Sequence, residues 1–205
     1  MKKIVFATIP MQAIQPQIYS VNENKAIEYG KAVRIPMDGI LAKVMKKGDE
    51  YKIVRVVTEG KFSNENLDLQ KQELDAINSA IGAKIEYSDV IVPYSGLSKE
   101  LEGRFGKLIA ALEDNCEIYM DMTYSDKMWV PILFYVLGFA ERFFNADIKN
   151  IIYGKITHNE NKQSEAGSGE IFDMTPLFYL NSLTSVMEAP DSKTALTRLN
   201  KFFEM

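Results

Sequence analysis

The sequence predicts an α/β protein, a parallel-rich sheet sandwiched by helices with a short helical C-terminal extension. Strand-like runs and amphipathic helical runs alternate along the chain, which is the pattern of a parallel sheet covered by helices. The length of 205 residues favours one core. A composition of 46% hydrophobic and 25% charged residues is that of an ordinary globular protein, neither disordered nor fibrous.

Residues Lys3 to Thr8 read as the first strand, because the apolar run Ile4-Val5-Phe6-Ala7 is far too short for a secretory signal core. A short helix is expected around Ile40 to Val44. Tyr51 to Val57 is a β-branched run and the second strand. In 64 to 82, Leu67, Leu69, Leu74, Ile77 and Ile81 fall on one face at helical spacing, with charges opposite. Lys84 to Val92 is a third strand, closed by Pro93 and Gly96. Residues 98 to 112 repeat the helical period through Leu101, Phe105, Leu108, Ile109 and Leu112. Glu117 to Met122 is the fourth strand, 126 to 145 an apolar helix buried against a sheet or a partner subunit, and Asn150 to Ile156 the fifth strand. The polar stretch 158 to 169 reads as a mobile loop. Two helices follow, one with Thr175 as N-cap and Pro176 first in the helix, the other starting at Asp191 after Pro190. The arrangement is Rossmann-like, with a ligand-binding domain over 1–157 and the loop and helices of 158–205 packed on the same domain.

Counts exclude several function classes. With 24 Lys+Arg against 28 Asp+Glu the formal net charge is −4, which argues against coating a long nucleic acid. Cys116 and His158 are the only residues of their types, so a disulfide and a structural zinc site are excluded and a reducing cytoplasm is the natural compartment. His158 lies in a polar stretch and is expected to be solvated, which disfavours a His-based triad. The longest uncharged apolar run, Met128 to Ala140, is interrupted by Pro131 and falls short of the roughly 20 residues a spanning helix needs. No membrane, cofactor or metal is therefore expected.

Ligands of open parallel sheets bind beyond the carboxyl ends of the strands. Neither a G-x-G-x-x-G nor a G-x-x-x-x-G-K-[ST] follows a strand here, so dinucleotide and P-loop sites lack their fingerprints. The first strand ends on Thr8 and Ile9. The fourth ends on Asp121-Met122-Thr123-Tyr124-Ser125-Asp126-Lys127, where a carboxylate, hydroxyls and an amine meet at a strand-to-helix junction. The helix N-terminus, Thr123, Ser125 and Lys127 together suit a phosphate. Asp121 would repel one and is expected to hold the loop by accepting backbone N–H bonds. The echo between Asp121-Met122-Thr123 and Asp173-Met174-Thr175 is explained by local helix capping.

The order D-x-T-x3-K in Asp121, Thr123 and Lys127 resembles the signature of CRISPR-associated Rossmann-fold (CARF) domains, nearest to the subfamily with a D-x-T-H-G motif. Asn150-Ile151-Ile152-Tyr153-Gly154 is similar to that family's next strand, and Asp173-Met174-Thr175-Pro176 to its D-x-T-P segment. Tyr124-Ser125 stands where the subfamily has His-Gly, and Lys127 where many members have Arg.

The resemblance implies a cytoplasmic homodimer that binds a cyclic oligoadenylate across its two-fold axis in type III CRISPR antiviral defence. Carried over, Thr8 and Ile9 border the ring, Thr123, Ser125 and Lys127 contact phosphates, Tyr124 abuts an adenine, and Glu59 or Gly60 lines the rim. About 30 residues remain after Pro176, too few for an effector nuclease, so a separate effector protein is a possible partner. One alternative is a metal-independent ring nuclease, in which the ribose 2′-OH attacks the adjacent phosphorus with Thr8 and Lys127 as catalytic residues. A second alternative is a Rossmann-like nucleotide-binding protein outside CRISPR.

Overall fold

The computed structural model describes every residue except 94–96, 126, 158–164, 166 and 205. Its elements are β1 (Lys3–Ile9), β2 (Tyr19–Ser20), a 3-10 turn (Lys25–Ile27), α1 (Pro36–Val44), β3 (Glu50–Thr58), α2 (Ser63–Ser79), β4 (Lys84–Val92), α3 (Ser98–Ile109), β5 (Glu117–Asp121), α4 (Trp129–Phe143), β6 (Asp147–Lys155), β7 (Gly169–Asp173), α5 (Thr175–Val186) and α6 (Ser192–Phe203). These seven strands form one sheet in the order β2-β7-β6-β5-β1-β3-β4. Every pairing is parallel except that of β6 with β7. The fold is therefore α/β and Rossmann-like. No helix among the described residues is long and apolar enough to cross a membrane.

The central strands are buried on both faces, as a parallel sheet requires. Val5 and Ile9 of β1, Ile53 and Val57 of β3 and Ile152 of β6 share a core cluster with Met37, Ile40 and Leu41 of α1 and Leu67 and Leu74 of α2. The alternate residues Ile4 and Phe6 are equally buried. On α4, Ile132, Leu133, Val136, Leu137 and Ala140 recur at helical spacing and are buried, and α3 packs against that helix.

Chain contacts group Met1–Thr175 as one compact unit and Pro176–Met205 as a second. In the second unit Asp191 caps α6, its Oδ1 accepting from the Thr194 N–H at 2.7 Å.

Several expectations from the sequence need correction. The apolar helix starts at Trp129 rather than 126, and Pro131 consequently falls in its first turn, where a missing N–H breaks no helical bond. The fifth predicted strand begins earlier, at Asp147. β2 and β7 were not expected: β2 is two residues long, too short to show a period, and β7 opens on Gly169 at the end of the polar stretch. Most of that stretch, with His158, lies outside the described residues. Thr175 does not use its hydroxyl as an N-cap. Its Oγ1 accepts from the Ile151 N–H at 2.9 Å, while Asp173 Oδ1 accepts from the Thr175 N–H.

The β2–β7 edge depends on a bare backbone at Gly169, where an added Cβ would lie 2.5 Å from the Ile18 carbonyl oxygen. Gly169→Ala is expected to destabilise the protein by about 1–3 kcal/mol, the usual range for overpacking. Hydrogen exchange should localise the damage to residues 18–20 and 169–170 and leave β1, β3 and β5 protected; uniform loss of protection would contradict this.

Candidate functional site

Apart from the short β2, which lies at the far edge beyond β7, the chain after β1 places β3 and β4 on one side of β1 and then β5 and β6 on the other. The carboxyl ends of β1 and β5 therefore flank the switch point, where open α/β sheets place their ligands. Asp121, the last residue of β5, stands in register with Ala7.

Asp121 is fully buried, and its carboxylate organises the junction. Oδ1 accepts from the Thr123 N–H at 2.8 Å, and Oδ2 accepts from the Met37 N–H at 3.1 Å in the first turn of α1. Burial raises its pKa to about 6, while these hydrogen bonds pull the other way. The next residues bridge three strands. The Tyr124 N–H donates to Thr8 Oγ1 of β1 at 3.0 Å, and the Gly154 N–H of β6 donates to Thr123 Oγ1 at 2.8 Å. Ser125 Oγ donates to the Met122 carbonyl at 2.7 Å, and Tyr124 Oη donates to the Arg34 carbonyl at 3.1 Å. Gly154 has no room for a side chain: a Cβ would meet Pro36 Cγ at 2.6 Å and Thr123 Oγ1 at 3.0 Å.

Across the switch point, Asn66 of α2 donates to the carbonyls of Pro10 and Gln12, both at 2.8 Å, and so ties down the loop that leaves β1. Gly60 adjoins the same loop, with space for no Cβ beside Met11. The Glu59 N–H donates to the Val92 carbonyl. Trp129 Nε1 donates to Thr58 Oγ1 at 2.8 Å, and the Arg104 guanidinium lies 4.8 Å over the Trp129 ring and donates to the Pro93 carbonyl.

The structure thus brings Thr123, Tyr124 and Ser125 into a loop braced by Thr8 of β1 and Asp121 of β5, with the exposed Lys127 two residues before α4. Asp126 lies outside the described residues. The hydroxyls of Thr8 and Thr123 accept backbone N–H groups and that of Ser125 donates to a carbonyl, so each is a brace of the loop. Tyr124 packs against the core shared by α1 and α2, and Ile9, 2% exposed, belongs to that core. Among the described residues no group of three or more His, Cys, Asp or Glu side chains could hold a metal ion.

Arg104 escaped the sequence reading although a signal was present. It stands three residues after Leu101 and four before Leu108, on the apolar face of α3, and it is 1% exposed. A cation on a buried face at the carboxyl edge of a sheet is unusual enough to be noted. Asn66 and Gln70 sit likewise on the buried stripe of α2.

Together the fold and this edge define a Rossmann-like α/β protein with a preorganised strand-to-helix loop at its switch point. No family model matches the chain, and no curated protein matches it.

The Asp121 carboxyl should titrate near pH 6 in carbon-detected NMR, against roughly 3.9 for an exposed aspartate. Because the folded value is the higher one, its contribution to stability is complete below about pH 4 and is lost as pH rises through about 6. A midpoint near 4 would mean that the bonds from Met37 and Thr123 outweigh burial.

Proposed function

We propose that this protein is a CARF-type receptor that binds a cyclic oligoadenylate at the carboxyl edge of its sheet, as a homodimer acting in type III CRISPR defence. The observation that carries the reading is the loop Asp121–Ser125, braced across β1, β5 and β6 at the switch point and followed by the exposed Lys127 at the entrance to α4. The D-x-T-x3-K order of that loop and the D-x-T-P segment at the end of β7 supply the likeness to CARF domains.

The geometry divides the labour among the residues. Asp121, Thr8 and Thr123 hold the loop, so little reorganisation is needed on binding. Lys127 supplies an exposed cation for a phosphodiester, and the buried Arg104 guanidinium lies over the ring of Trp129, the first residue of α4. A net charge of −4 leaves these cations as local features of an acidic protein, which suits a short anionic ring better than a long polymer. A symmetric ring matches a two-fold interface, in which each copy presents the same loop.

The test is calorimetry with cyclic tri-, tetra- and hexaadenylate, followed by chromatography of the mixtures over hours. Binding to one ring is expected, with Lys127→Ala weakening it roughly tenfold or more, as for a lost charged hydrogen bond. Absence of heat with every ring overturns the reading. Linear products ending in a 2′,3′-cyclic phosphate would identify a ring nuclease instead.

A further inference from the structure

We propose that Asp38 is kept in the folded protein as a neutral carboxylic acid, locked in a two-point pair with the carboxamide of Gln70, and that this pair is a proton-dependent joint between α1 and α2. The proposal stands independently of the ligand at the sheet edge.

Asp38 lies in the first turn of α1 and Gln70 on the buried stripe of α2, and both are 1% exposed. Gln70 Nε2 donates to Asp38 Oδ1 at 3.1 Å. The other atom of each group, Asp38 Oδ2 and Gln70 Oε1, is buried and has no partner. Both orphans are acceptors. A carboxylate has only lone pairs to offer, and the amide oxygen has only lone pairs as well, so exchanging the amide's N and O cannot satisfy both. One proton on Oδ2 changes this. The resulting O–H donates to Oε1, the Nε2–H to Oδ1 bond remains, and an acid–amide ring of two hydrogen bonds satisfies both orphans at once.

The surroundings favour that proton. Glu73 on α2 and Asp121 on β5 face Asp38 with negative charge, and Tyr87 on β4 lies within its field. The opposing cation is Arg55 on β3, which is already committed to both carboxylate oxygens of Asp89, at 2.6 and 2.9 Å, and to the Leu67 carbonyl. The N-terminal end of α1 favours a carboxylate there, but the helix dipole is a modest effect compared with complete burial. Desolvation accordingly places the Asp38 pKa well above the ordinary aspartate range.

Ionising Asp38 would put a charge between α1 and α2 and return both acceptors to their orphaned state. The first turn of α1 would then lose its tie to Gln70 one residue away from Met37, whose N–H holds Asp121. Since the folded state keeps its proton to higher pH than the unfolded chain, stability is complete below the ordinary aspartate range and falls as pH rises through the folded value.

The experiment compares thermal midpoints of the full-length protein and Asp38→Asn from pH 5 to 9. Asparagine can pair with Gln70 at the same two points and cannot ionise, so the variant should lose much of the wild-type decline and overtake the wild type at the alkaline end. A variant less stable by the same margin at every pH would overturn the proposal. An independent measurement needs no variant: in protein labelled with carbon-13 aspartate, the Asp38 side-chain carboxyl, assigned through its backbone, should show the shift of a protonated acid at pH 7, distinct from Asp121 near 6. A carboxylate shift for Asp38 at pH 7 overturns the proposal even if Asp38→Asn fails to fold.

Discussion

Two hydrogen bonds to one buried carboxylate organise the carboxyl edge of this protein. Asp121 receives the Met37 N–H from α1 with one oxygen and the Thr123 N–H from its own loop with the other. The first bond docks a helix and the second shapes a turn, so the position of α1 and the path of the loop after β5 share a single anchor. Burial makes that anchor costly to charge, and the donors offset the cost only in part. Thr8 and Gly154 then hold the loop from the neighbouring strands on either side, and the turn leads to α4 without a side-chain cap of its own.

The repeated triplet Asp-Met-Thr carries the same device twice. At 121–123 and again at 173–175 the aspartate accepts the threonine N–H, and the threonine hydroxyl accepts an N–H of β6, from Gly154 in one case and Ile151 in the other. In both, the methionine N–H reaches a β6 carbonyl, that of Ile152 or Ile151. The hydroxyl completes the ladder just past the point where the neighbouring strand stops pairing. The echo is therefore a matched pair of strand-end clamps on β6, one parallel and one antiparallel; helix capping enters only at the second, where Asp173 accepts the N–H of the first residue of α5.

Much of this was legible in the sequence. β1 and β3 announce themselves as continuous apolar or β-branched runs because both of their faces are buried, α2 by its helical period, and the junction after β5 stands out because hydroxyls, a carboxylate and an amine crowd one turn. What was hidden has physical reasons too. β2 is two residues long, and β7 opens on a glycine whose bare backbone lets Tyr19 approach. The roles of Thr8, Thr123 and Ser125 as braces depend on which backbone groups lie opposite them, and those partners are set by register across β1, β5 and β6. Asp38 carries no signal in the sequence, because its partner Gln70 stands 32 residues away on another helix and meets it only in the folded interior.

The strand order also bears on how the sheet can be assembled. Lys3 of β1 pairs with Tyr51 on one side and Glu117 on the other. On a growing chain β1, β3 and β4 can associate first, leaving the apolar edge of β1 open until β5 is made. That edge is the boundary of the candidate site. Until β5 forms, a strand that is apolar except for Lys3 and Thr8 would present an unpaired edge at the candidate site, the kind of edge that favours aggregation. Docking of β5 on β1 joins the two halves of the sheet and brings the two flanks of the candidate site together in the same step, so a chain that has not finished folding lacks the site.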